Sequence, residues 1–154
     1  MVDNQMTWYM IVLSALLVNN IVLIRYLALC SFFGVSNRIE VSLSMGMAVV
    51  FVMAMASAAS WIIWYFFLLP LNIEFLRTAS FILVIATLVQ LVEMYIKKTA
   101  PSLYNALGIY LPLITTNCAI LGVAILLIDY KLGFLNSIIY SISVAGGYTL
   151  SIIL

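Results

Sequence analysis

The chain reads as an all-α integral membrane protein: an inverted repeat of three-helix units, with five transmembrane helices present of an expected six. Three observations lead there. Of its 154 residues, 67% are hydrophobic and 7% charged, far from the balance of a soluble domain. The apolar residues gather into runs of membrane-spanning length, since about 20 helical residues cross a hydrocarbon core about 30 Å thick. Two short strings also recur: CSFFGV at Cys30–Val35 and CAILGV at Cys118–Val123, which hold the only two cysteines, 88 residues apart (30 to 118).

Taken in order, the spanning runs are Met6–Ile24, Val41–Leu69, Phe75–Ile96, Leu103–Ile128 and Phe134–Leu154. The first is preceded only by Met1–Gln5, whose one charge is Asp3. The basic start of a signal peptide is missing, so this run is expected to stay as a spanning helix. In the second run, Met45, Met47, Met53 and Met55 alternate with Gly46, Ala48, Ala54, Ala56 and Ala58. Small residues at such spacing permit close helix packing, and the methionines are read as packing rather than as soft-metal ligands. The third run carries Gln90 and Glu93, with Glu93 four residues before Lys97. That is the spacing of an ion pair along a helix, with a role for Glu93 and Gln90 in ion passage as the sharper alternative. Asp129 and Lys131, between the fourth and fifth runs, read as a solvated turn.

Shifting the chain by the cysteine spacing places Val41–Leu69 over the Phe134 run and carries Phe75–Ile96 beyond Leu154. The reading is a single membrane domain over 1–154, with repeat 1 at about 6–96 and an incomplete repeat 2 at about 103–154. Three is odd, so the second unit is inverted relative to the first. A five-helix protein is the alternative. Inverted repeats build their sites near the bilayer midplane on interrupted helices. Orientation follows from the basic residues: Arg25, Arg38, Lys97 and Lys98 share one side, and Arg77 and Lys131 the other. The excess of Lys and Arg marks the cytoplasmic side, which puts the N-terminus outside. With a net charge of +1 and no basic patch, nothing invites nucleic acid, and membrane lipid is the expected surrounding.

Both cysteines follow disturbed helix pattern. Ahead of Cys118 runs Leu111-Pro112-Leu113-Ile114-Thr115-Thr116-Asn117. Pro112 removes an amide donor and disrupts the preceding turn. Thr115, Thr116 and Asn117 supply polar atoms for backbone groups that hydrocarbon cannot satisfy. Ahead of Cys30 come Asn19, Asn20 and Arg25, costly in a membrane unless they face protein or water. Ordinary interhelical hydrogen bonding is the bland reading of these groups.

Two thiols admit several chemistries. A disulfide needs an oxidising compartment, which nothing marks. Zinc favours four Cys, His or carboxylate ligands, and the chain has no histidine. An iron–sulfur cluster takes four thiolates, so two per chain suit a cluster shared between two chains. Inert core cysteines are the other reading. No acid, base or nucleophile constellation is present, so the chain is not expected to be an enzyme alone.

The stretches LVNNIVLIRYLALCSFFGVS (Leu17–Ser36), LRTASFILVIATLVQLVEM (Leu76–Met94) and LYNALGIYLPLITTNCAILGVA (Leu103–Ala124) resemble the A-type membrane subunits of the Rnf family. These belong to ion-translocating electron-transport assemblies, and a related version reduces the SoxR regulator. The E-type subunits of sodium-translocating NADH:quinone reductase share the LPLIT-NCA core but have a longer second connection. The short Pro70–Arg77 link here is more similar to the Rnf type. The resemblance implies six helices, a multi-pass place in the bacterial inner membrane, a paralogous partner of inverted topology, and other Rnf subunits as neighbours. It also implies a [2Fe-2S] cluster shared with that partner, with Cys30 and Cys118 as this chain's metal ligands and Arg25 and Asn117 as candidate tuning residues. Ala28 and Ser31 stand where such chains typically show Gly and Pro; neither is a ligand. The coupled ion and the terminal acceptor are not legible. A cofactor-free inverted-repeat transporter, or an assembly subunit with structural cysteines, is the alternative function.

Overall fold

In the computed structural model, residues 4–18, 20–35, 38–71, 74–108, 110–115, 117–131 and 133–154 are described. Among them the regular structure is all helical. Three stretches are long and apolar enough to cross a membrane: the helices Ile39–Leu71 and Arg77–Thr99, and Pro112–Asp129, which takes in two helix pieces.

The first spanning run is not one helix. It forms α1 (Asn4–Leu13) and a π-helical turn (Ser14–Val18), and then leaves the helix altogether. From Asn20 to Ala28 the backbone passes through turns, and helix resumes only at α2 (Leu29–Val35). The expected Met6–Ile24 helix is therefore cut short. Ile21, Val22, Leu23 and Ile24 are apolar enough to span but are spent in an irregular segment. Such backbone is tolerated at membrane depth only where protein satisfies it. Here Asn20 Oδ1 accepts from the Val22 amide at 3.1 Å, and Asn20 O accepts from the Ile24 amide at 3.0 Å.

α3 (Ile39–Ile63) continues through a π-helical turn (Trp64–Leu68) into α4 (Leu69–Leu71). Together they make one helix of 33 residues. Apolar residues surround it on all sides, the pattern of a helix enclosed by protein or lipid. Met45, Val49, Met53 and Ala56 are buried, whereas Met47 and Phe51 point outward. The methionines at alternate positions thus divide between core and surface.

After a 3-10 turn (Glu74–Leu76), α5 (Arg77–Thr99) buries a single stripe, Phe81, Ile85 and Val89, at helical spacing. α6 (Pro101–Leu107) follows at once, then a short α7 (Leu111–Thr115) and α8 (Cys118–Asp129). The expected Leu103–Ile128 helix is thus three pieces. Pro112 sits in the first turn of α7, where a missing amide donor costs no helix bond. α9 (Phe134–Ile153) follows.

α9 packs along α3 and also meets α1 and the π-helical turn that follows it. Lipid offers helices no hydrophobic drive to associate, so small residues and hydrogen bonds take over. A Cβ on Gly46 of α3 would come within 2.5 Å of Thr149 Cγ2. A Cβ on Gly147 would stand 3.2 Å from the Leu16 carbonyl oxygen. Both glycines let backbones approach. The serines along α9 bond back to their own helix: Ser141 to the Ser137 carbonyl and Ser143 to the Ile139 carbonyl, each at 2.8 Å.

Arg77 at the start of α5 and Asp129 at the end of α8 form an ion pair at 3.2 Å. That places the chain's second and fourth connections together at one end of the bundle. The helix-spaced pair expected between Glu93 and Lys97 does not form. Lys97 reaches forward over the Tyr104 ring instead, with Nζ 5.6 Å from its centroid. Asp129 is correspondingly a salt-bridge partner rather than part of a plain solvated turn, while Lys131 takes a left-handed backbone with φ 51°.

Candidate site at two interrupted helices

Each half of the chain interrupts its first helix, and each cysteine opens the helix that resumes. Cys118 is the first residue of α8 and Cys30 the second residue of α2. Each thiol therefore sits at the start of a helix, the positive end of its dipole.

The second break is closed by Asn117, the N-cap of α8, whose Oδ1 accepts from the Ala119 amide at 3.0 Å. This agrees with the sequence expectation that Asn117 satisfies freed backbone. Asn117 is only 6% exposed. Its Nδ2 is buried and makes no hydrogen bond of good geometry, with the Tyr148 hydroxyl as its polar neighbour. The Thr115 and Thr116 side chains, like Asn19, lie outside the described residues.

The first break is held from α9. Asn20 Nδ2 donates to the Gly147 carbonyl at 3.1 Å and to Ser151 Oγ at 2.8 Å. These bonds account for a buried amide that sequence reasoning marked as costly. Arg25 is exposed in the same turn. It lies within electrostatic reach of Tyr140 on α9, and among the described residues no hydrogen bond joins it to either cysteine.

One bond brings the two breaks together. The Ala28 amide donates to Cys118 Sγ at 2.9 Å. Ala28 achieves this in the left-handed region, with φ 67°, and is almost fully buried. Its carbonyl oxygen accepts from the Phe32 amide and from Ser31 Oγ, both at 3.0 Å. Ser31 Oγ in turn accepts from the Tyr148 hydroxyl at 2.8 Å. Tyr148 and this chain of bonds were missed by sequence reasoning. The signals were the departures at Ala28, a position whose φ favours glycine, and at Ser31, whose hydroxyl is a link in the chain.

The thiols themselves differ. Cys118 is half-buried and Cys30 exposed on the surface of the chain, and neither is in a disulfide. Among the described residues no group of three or more His, Cys, Asp or Glu side chains could hold a metal. The chain's own donors amount to two soft sulfurs at helix starts, one of them already accepting an amide hydrogen bond. That set fits half of a thiolate-ligated centre and cannot complete one.

Comparison with known proteins shows which family the chain resembles. The family described as Rnf-Nqr subunit, membrane protein, matches residues 8–154. The chain is 54% identical over 149 residues to the A-type subunit of the Na(+)-translocating ferredoxin:NAD(+) oxidoreductase complex of Acetobacterium woodii, covering 97% of this chain and 78% of that protein. It is 53% identical over 147 residues to the A-type subunit of the ion-translocating oxidoreductase complex of Azoarcus sp. strain BH72, covering 96% and 76%. The corresponding protein of the same name from Aeromonas salmonicida is 53% identical over 150 residues, covering 97% and 78%.

Proposed function

The chain belongs to the Rnf-Nqr family of membrane subunits, and from that membership we propose that it is a membrane subunit of an ion-translocating oxidoreductase complex that passes electrons across the bilayer. Its relatives carry the names of A-type subunits in such complexes. In this reading Cys30 and Cys118 would supply two thiolates to a [2Fe-2S] cluster, and two more would come from a paralogous partner of inverted topology. When bound, the cluster supplies a one-electron station inside an apolar barrier about 30 Å thick, dividing it into shorter hops.

The observation that carries the reading is the joining of the two interrupted helices by the Ala28 amide and the Cys118 sulfur. It sets the two cysteine-bearing helix starts side by side, from halves of the chain 88 residues apart (30 to 118). An inert filler cysteine is among the most buried residue types, whereas Cys30 is exposed and faces lipid or a neighbouring subunit. The chain's residues bind and orient. Cys30 and Cys118 present sulfur, α8 directs its N-terminal dipole at it, and Asn117 caps the helix that Cys118 opens. Arg25 adds positive charge in the same turn. The apolar side chains of α3 and α9 exclude water.

Membrane placement follows the same reading: the bacterial inner membrane, with Arg38 and Lys98 at the cytoplasmic face and the N-terminus outside. The Arg77–Asp129 pair supports the alternation of connections that this requires. The experiment is visible absorption and EPR spectroscopy on the complex purified with this chain in place. A [2Fe-2S] signal that disappears when either cysteine is replaced is expected. A complex that transfers electrons with no such signal overturns the cluster assignment.

A further inference from the structure

We propose that Tyr148 is a positioning residue, whose hydroxyl latches the left-handed turn at Ala28 through Ser31 and so aims the Ala28 amide at the Cys118 sulfur. The proposal rests on the reading of Cys118 as a ligand, and it adds the device that sets the hydrogen bond on that ligand.

Left-handed backbone costs an L-residue, because Cβ crowds the following carbonyl. Ala28 has φ 67°, so something must hold it there. The bonds that do so run in one line. The Tyr148 hydroxyl donates to Ser31 Oγ at 2.8 Å, which leaves the Ser31 hydroxyl proton to go to the Ala28 carbonyl oxygen at 3.0 Å. A hydroxyl that accepts one bond becomes a better donor for the next, and a dry interior strengthens both. The Phe32 amide holds the same carbonyl at 3.0 Å, and on the other side of the left-handed Cα the Ala28 amide donates to Cys118 Sγ at 2.9 Å, so the turn is held at both ends.

Tyr148 is fully buried on α9. A tyrosine hydroxyl placed there, rather than a phenylalanine ring, calls for a partner, and it has two polar neighbours. Asn117 Nδ2 is buried beside it without a well-formed bond. The hydroxyl therefore stands between the N-cap of the Cys118 helix and the start of the Cys30 helix, and it donates to the second. Amide bonds to ligand sulfur are among the levers that set the potential of an iron–sulfur centre. A buried tyrosine one helix away thereby acts on Cys118 without touching it.

The test uses Tyr148→Phe, which keeps the ring and its packing, with Ser31→Ala as a second variant removing the same link. In the assembled complex, hydrogen exchange is measured on the peptide holding Ala28. Loss of one hydrogen bond corresponds to an exchange rate about threefold to tenfold faster. In an Ala28→Gly background the same Tyr148→Phe change should have little effect, because glycine adopts φ 67° unaided. A general loss of packing would not be suppressed by that glycine. The midpoint potential of the complex, followed by EPR, should fall in Tyr148→Phe at unchanged signal size. Exchange at Ala28 that is unaltered by both variants, or equally altered in the glycine background, overturns the latch. A wild-type complex lacking the EPR signal overturns the cluster reading instead, while the exchange measurement still decides the latch.

Discussion

Ala28 and Cys118, 90 residues apart in sequence, share a hydrogen bond from amide to sulfur at 2.9 Å. One residue lies in the break of the first half, the other opens the resuming helix of the second. Because the donor is backbone, no substitution at Ala28 short of proline deletes it, and the contact depends on the shape of the turn. That shape depends in turn on α9, whose Gly147 and Ser151 receive Asn20 and whose Tyr148 reaches Ser31. The cysteine pair is therefore built from both halves and fastened by the last helix.

Replacing either cysteine by serine tests the ligand assignment directly. Hydroxyl oxygen is a much harder donor than thiolate and a poor match for iron–sulfur chemistry. Cys30→Ser and Cys118→Ser are each expected to abolish the EPR signal and electron transfer. Both chains should still accumulate, Cys30→Ser nearly as wild type because its side chain is exposed. Normal spectra and turnover in both variants leave the cysteines as packing residues.

The ion pair between Arg77 and Asp129 offers a topological test. With side chains 28% and 49% exposed, it is screened, and breaking it should cost no more than about 1 kcal/mol. Its value lies in position. Arg77→Cys combined with Asp129→Cys should be joined by a short flexible bis-thiol cross-linker, which could not bridge connections on opposite faces. Reporter fusions should then place Arg38 and Lys98 in the cytoplasm and Asp129 outside. A cytoplasmic Asp129 reverses the orientation.

Hydropathy made the long helices legible, because Ile39–Leu71 and Arg77–Thr99 are continuous and apolar throughout. It failed at the first break for a physical reason. Ile21 to Ile24 are as apolar as any helix, and transfer free energy does not register backbone conformation. The polar residues carried that information: Asn20 and Asn117 each bond to a backbone amide two residues on. Pro112 marked the start of a helix piece. The left-handed Ala28 was invisible as an alanine, and Tyr148 looked like one more aromatic in an apolar run. Its partner Ser31 lies 117 residues away, beyond any local pattern. The Glu93–Lys97 pair shows the opposite error, a local rule outweighed by the ring of Tyr104.

Close packing of α3 on α9 makes Gly46 intolerant of any side chain. A Cβ there would sit 2.5 Å from Thr149 Cγ2 and 2.8 Å from Thr149 Oγ1, well inside contact distance. Gly46→Ala should destabilise the chain by about 1–3 kcal/mol, the usual range for overpacking, seen as a lower melting temperature in detergent. Adding Thr149→Ala removes both nearest atoms and should recover most of the loss. A Gly46→Ala chain as stable as wild type means the two helices sit further apart.

The partner prediction follows from ligand arithmetic. A cluster held by thiolates needs four, and this chain has two cysteines and no histidine. Expressed alone, it should retain no stable cluster, whatever its folding state. Co-expressed with a paralogous membrane protein carrying its own cysteine pair, it should yield a cluster that depends on all four thiols. Cys30 is the exposed member, so the contact between the two proteins should form on the side of α2. Cross-linking from Phe33, which is exposed on α2, should capture the paralogue, whereas cross-linking from Leu83, exposed on α5, should not. If the isolated chain holds a full cluster as a monomer, the shared site is wrong. If the paralogue is captured from α5 and never from α2, Cys30 faces lipid, and the cysteine pair is not an inter-subunit site.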